Sequence, residues 1–253
     1  MIELSNDLVI KLLATVDQGL VRGMGEPVPG QMCVEAAICY ALGEGHSDKP
    51  SCVEPTVRSC KIALNDMSWS SDMARAKGMR KVAIAQLGSL GVVDAAQFAQ
   101  RLATLTIQLI VPIALRAAAA EQNEPHKSQL EDAAQACEQN PTQKTADAAD
   151  AAASATASAA AYAASAAARA AHAAYAAAYA AAYAADAAAA HAADAAADAA
   201  AHAADAAHAA DAAAYAADYT DEILTVFADM ILEVLIELES PGCEYLFLCE
   251  ENS

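Results

Sequence analysis

From Thr142 to Ser240 the chain runs for ninety-nine positions without a glycine or a proline, the two residues least compatible with a helix interior. Between Ala146 and Ala217 alanine is the majority residue, and the other residues fall into step. From Asp147 to Asp218, setting aside Thr156, they recur every three or four positions with one five-residue step after Asp186, making 20 steps in 71 residues. A mean step of about 3.55 lies between the straight-helix period and the coiled-coil period, so the block reads as helix with one polar stripe. Alanine has the highest helix propensity, and its methyl group lets helix axes approach to the low end of the usual ~8–10 Å. A single rod over this block would be about 110 Å long and would leave its methyl groups in water. The expectation is therefore two to four close-packed antiparallel segments, with one long helix as the alternative.

The hydrophobic share of 57% is inflated by this block, because alanine buries little apolar area per side chain. Stronger core formers lie on either side. Ser5 or Asn6 can cap a helix carrying Leu8, Val9, Leu12, Leu13 and Val16, which ends at the glycines of GLVRGMGEPVPG. A second helix is expected from near Gln31 to Gly43. A third runs from Glu54 to Leu64 with Pro55 in its first turn, and two more cover Arg75–Leu87 and Ala95–Ala119, the last kinked at Pro112. After Tyr219, Ile223, Phe227, Met230, Ile231, Val234, Leu235 and Leu238 form a wide apolar face that needs a partner, and the large apolar helices lie in the first half. The segment Tyr245–Cys249 could be extended.

These patterns predict an all-α fold in four parts. Residues 1–120 form a helical globular domain, 121–145 a polar linker with one short helix around Leu130–Cys137, and 146–219 the alanine-rich helical region. Residues 220–253 supply an amphipathic helix that packs back on the first domain, and a tail.

Charge divides the chain as sharply as composition does. Residues 1–120 carry 11 basic and 11 acidic groups, whereas 121–253 carry 3 and 22, so the whole net charge of -19 belongs to the second half. A surface of that sign repels phosphate backbones and anionic lipid, which argues against nucleic-acid and membrane partners. It suits a cationic protein partner or self-association. The first residues hold acids and no basic region ahead of an apolar run, unlike a secretory signal, and seven cysteines fit reduced thiols; both point to the cytoplasm.

Two constellations could carry chemistry. Cys33, Cys39, His46, Cys52 and Cys60, with Glu35 and Asp48, lie within 28 residues, and Cys33, His46, Asp48 and Cys52 are the candidate metal ligands or reactive groups. Their gaps are wider than the short paired spacing of structural zinc sites, and Cys33, Cys39 and Cys60 occupy apolar helix positions where a thiol acts as a small hydrophobe. The second constellation is the stripe. Tyr175, Tyr179 and Tyr183 form an i, i+4 ladder, and His191, Asp194, Asp198, His202, Asp205, His208 and Asp211 follow along the stripe as a candidate interaction surface. No phosphate-binding glycine loop, G-x-S-x-G, H-E-x-x-H or C-x2-C is present, so no cofactor is expected. The reading is a non-enzymatic interaction or scaffold protein; the alternative is a small enzyme or metal-binding protein centred on Cys33–Cys60.

Cys33, Glu35, Ala36, Gly43, Glu44, Ser47, Asp48, Pro50, Cys52, Val53, Asn65 and Asp66 spell a C-x-E-A, G-E, S-D-x-P-x-C-V and N-D series. In this series, over residues 30 to 66, the chain resembles a set of uncharacterised bacterial proteins. The alanine-rich block is loosely similar to alanine-rich immunity proteins of bacterial toxin systems. The resemblance implies a bacterial or phage-encoded protein and supplies no activity.

His191, His202 and His208 each lie three or four residues from an Asp, and neighbouring carboxylates favour imidazolium over the free imidazole, whose ordinary value is about 6.5. Protonation lowers the self-repulsion of the stripe, so self-association through it strengthens as pH falls from about 8 toward 6. Sedimentation across that range, beside a variant with all three histidines changed to Ala, checks this; matching pH profiles would leave the histidines as plain helix surface.

Overall fold

The computed structural model of the chain describes residues 4–120, 122–156 and 220–250. Among them are nine α-helices and no strand, so the fold is all-α.

The first helices start where side chains replace missing backbone partners. Helix α1, Asn6–Val16, is capped by Ser5, whose Oγ accepts from the Leu8 N–H. Helix α2, Val34–Leu42, is capped by the Cys33 sulfur and stopped by Gly43, whose φ of 76° suits a residue without a Cβ. Helix α3, Pro55–Asn65, opens on Pro55, and the Glu54 carboxylate accepts from the N–H groups of Thr56 and Val57. Ser71 caps α4, Asp72–Ala85, and Asp94 caps α5, Ala95–Leu105.

Near Pro112, where a kink is expected, the helix departs from regular α geometry. Proline cannot donate a hydrogen bond and its ring crowds the carbonyl four residues back, here that of Gln108. The helix widens just ahead of it into a π-helical turn, Thr106–Ile110, in which Val111 N–H donates to Thr106 O, and α6 continues over Val111–Ala120. The whole stretch Ala95–Ala120 is long and apolar enough to cross a membrane, yet it is mostly buried by its neighbours.

The described part of the segment expected as a polar linker, residues 122–145, packs on the helical body, and the short helix expected around Leu130–Cys137 is present and longer. It holds α7, His126–Gln139, whose Leu130, Ala134 and Cys137 are fully buried, and it begins α8, Gln143–Thr156. Helices α6, α7 and α8 pack on one another, and Arg116 on α6 pairs with Glu138 on α7. With Ala133, these small or medium apolar side chains of α7 share one core cluster with Ala114, Ala118 and Ala119 on α6 and Ala146, Ala149 and Ala153 on α8.

The C-terminal helix α9, Thr220–Glu237, packs back on α4 and α5 as its apolar face requires, burying Ile223, Phe227, Ile231, Val234 and Leu235. Arg101 on α5 clamps it by pairing with Glu233 and Glu237. The tail, whose sequence allows an extended form, is a 3-10 helix, Pro241–Cys249. It docks through backbone: Gly242 N–H donates to Leu87 O at 2.8 Å. A Cβ at Gly242 would stand 2.0 Å from Ile84 O and 2.9 Å from Leu87 N, and backbone on that side cannot yield.

Gly242→Ala should therefore lift the tail off α4, at a cost of about 1–3 kcal/mol for overpacking a closed site. A lower melting temperature, with faster amide exchange in residues 241–249 than in the rest of the chain, is the expected result.

Candidate functional site

Two regions hold the sequence-derived candidates: the loop and helices around Cys33, and the stripe of the alanine-rich block. The first begins with a glycine-rich loop between α1 and α2. Asn65, the last residue of α3, accepts from Val34 N–H through Oδ1 and donates to Val21 O through Nδ2. Asp66 accepts from Gly23 N–H at 2.8 Å, and Arg75 donates to Leu20 O and Asn65 O. The Asn-Asp pair thus ties the loop to the end of α3.

Within this frame the four candidate ligands point to different duties. Cys33 is the α2 cap, with its sulfur 3.4 Å from Ala36 N. His46 is exposed, and its Nε2 lies 2.9 Å from Gly25 O. Asp48 is half-buried and, with Cys33, Asn65 and Asp66, lines a cavity of about 70 Å³. Cys52 is buried, and its carbonyl accepts from Leu90 N–H. Among the described residues, no three His, Cys, Asp or Glu side chains converge in a way that could hold a metal ion.

Burial works against thiolate formation at these cysteines. Burial pushes Cys33 and Cys52 up from the ordinary value, Cys39 up to about 12, and Cys60 upward as well. A thiolate is the nucleophile and the metal ligand, so raised thiols in apolar surroundings are poor at both tasks.

What the spacing did not single out is a buried ion pair under the loop. Lys61 Nζ on α3 lies 2.8 Å from Glu35 Oε1 on α2, and both side chains are 0% exposed. The second carboxylate oxygen, Oε2, has no hydrogen-bond partner among the described residues. Burial pushes Glu35 up and Lys61 down, each toward its neutral form, and their attraction opposes both shifts. A faint signal was available: Lys61 occupies the same helix face as Val57 and Leu64, and Glu35 is the lone charge in VEAAICYAL.

Of the second region, only the start is described. On α8, Ala146, Ala149 and Ala153 are fully buried, while Asp147 is exposed and Asp150 half-buried. Tyr175, Tyr179, Tyr183, His191, Asp194, Asp198, His202, Asp205, His208 and Asp211 lie outside the described residues.

No known protein family matches the chain, and neither a curated protein nor a solved structure matches it.

Removing one partner of a buried pair strands the other, typically at a cost of about 3–5 kcal/mol. In Lys61→Met, Glu35 is left with a folded-state pKa above its unfolded value, so its protonation favours the folded state below the ordinary carboxylate range. That stability is lost as pH rises through the folded value. Thermal melts of Lys61→Met should fall with rising pH from about 4 upward, more steeply than wild type. In the double variant Glu35→Gln/Lys61→Met the added slope should vanish.

Proposed function

We propose that the chain is a non-enzymatic interaction protein, in which a packed helical body presents an acidic helical face to a basic protein partner in the bacterial cytoplasm. One observation carries this reading: the register of α8, where alanines enter the core and Asp147 stays in solvent. The acidic positions there are not consumed by internal ion pairs, since neither Asp147 nor Asp150 takes part in any pair among the described residues. The excess of 22 acidic over 3 basic groups in residues 121–253 supplies the field that would draw a cationic surface in.

An immunity-like or phage-encoded role is one form of this reading, with the partner a basic toxin. The alternative, a small enzyme or metal protein at Cys33–Cys60, gains no support from thiols that burial holds protonated. Buried thiols, by contrast, suit a reducing compartment.

Retention on immobilised polylysine as salt is raised gives the test. Removing two stripe charges with Asp198→Asn/Asp205→Asn should lower the eluting salt concentration more than removing two from the first half with Asp7→Asn/Glu26→Gln. Equal shifts from both variants would mean that only net charge is sensed, and the acidic face would lose its role.

A further inference from the structure

A trough of about 760 Å³ lies between α4 and α9. Its walls have opposite charge. Along α4 stand Lys77 and Lys81, one turn apart, both exposed and ion-paired to nothing among the described residues; Arg80 beside them is held by Asp17 and by Cys249 O. Along α9 stand Glu222 and Asp229, also exposed and unpaired among the described residues, with Asp221 bound to Ser70. Between the walls the lining includes the small residues Ala74 and Thr225, and Gly78, whose Cβ side is already filled by the Trp69 ring.

An occupant must therefore be slender and carry both signs. The outer face of α8 has that form. Lys144, Asp147, Ala148 and Ala151 are exposed on it. At 100° per residue, Lys144, Ala148 and Ala151 fall within about 60° of one another, and Asp147 and Asp150 follow along one flank. Methyl groups would meet Ala74 and Thr225, the aspartates on one flank would face Lys77 and Lys81, and Lys144, on the same line as the methyl groups, would reach the acidic wall through its long side chain.

We propose that α8 of a second copy seats in the α4–α9 trough, and that the contact is made reciprocally, giving a twofold dimer with two such seats. The inference rests on the reading of the acidic face as a binding surface and names a second copy of this chain as a partner for its first turns. The net charge of -19 does not forbid it, because at physiological salt charges beyond about 8 Å are screened and the close complementary pairs dominate.

Sedimentation velocity at about 0.15 M salt, run from micromolar to hundred-micromolar protein, tests the contact. Wild type should rise with concentration from 25.9 kDa toward twice that mass. Lys77→Glu/Lys81→Glu should stay monomeric, as should Asp147→Lys/Asp150→Lys, because in each a trough meets a flank of its own sign. Mixing the two variants should restore a dimer, since each trough then meets an opposite flank. Circular dichroism would show that both variants keep their helix content, and all four positions are solvent-facing or half-buried.

A wild type that stays monomeric throughout overturns the proposal, as does a dimer unmoved by the variants or a mixture that fails to associate. Assemblies larger than a dimer that vanish in both variants and return on mixing would keep the seat and overturn the twofold closure. The polylysine column separates this from the broader reading, because Lys77→Glu/Lys81→Glu keeps the stripe and should bind at least as well as wild type. Dimerisation with no polylysine retention would leave the self-contact standing and remove the basic partner.

Discussion

A buried acid and a buried base in direct contact, Glu35 and Lys61, tie together two helices in the first half of this molecule. Glu35 and Lys61 lie on consecutive helices, and neither can be exposed to solvent without separating α2 from α3. Through Asn65, one turn beyond Lys61, the same helix fixes the entrance of α2 and the glycine-rich loop before it. Arg75 carries the arrangement to α4 by donating to Leu20 O and Asn65 O. Well-packed apolar residues could have served α2 and α3 as well or better in energy, so the pair is a tie between two helices more than a source of net stability.

The second half uses a different principle. Helices α6, α7 and α8 meet largely through alanine, each burying little area but allowing close approach. The trade is visible at the edges. Core positions need no large side chains, so outer positions can be given over to Asp, Glu and Lys without loss of fold. Around α9, where bulky residues return, two helices of the first half supply matching apolar surface and Arg101 fastens the rim.

Much of this was legible in the residues, for identifiable reasons. Ser5, Pro55 and Gly43 act locally, through caps and turns whose geometry depends on one or two neighbours, and they stand where helix ends were expected. The apolar face of α9 could be paired only with the first half, and it is. Residues 121–145 misled because polar composition outweighs four apolar residues by any local measure, whereas Leu130, Ala133, Ala134 and Cys137 are judged by what they face, alanine on both sides. The π-helical turn before Pro112 was hidden for a similar reason: the ring forces some departure from the regular helix, and its form depends on the surrounding packing. Glu35 stands out in the sequence through the cysteine cluster and the C-x-E-A series, and its partner Lys61 through neither. A single charge on a helix face gives no periodic signal, and pairing across two helices is a tertiary fact.

The position of α9 has a consequence for how the molecule is made. It covers α4 and α5, elements separated from it by more than a hundred residues of chain. As the polypeptide leaves the ribosome, that surface of α4 and α5 is therefore bare through all the time needed to translate the alanine-rich block, and it can be covered by its own chain only when the last helix emerges. Most helical bundles finish through local contacts and fold quickly. Here completion depends on a remote segment, and an interrupted translation product would expose the apolar surface on which chaperones and aggregates act.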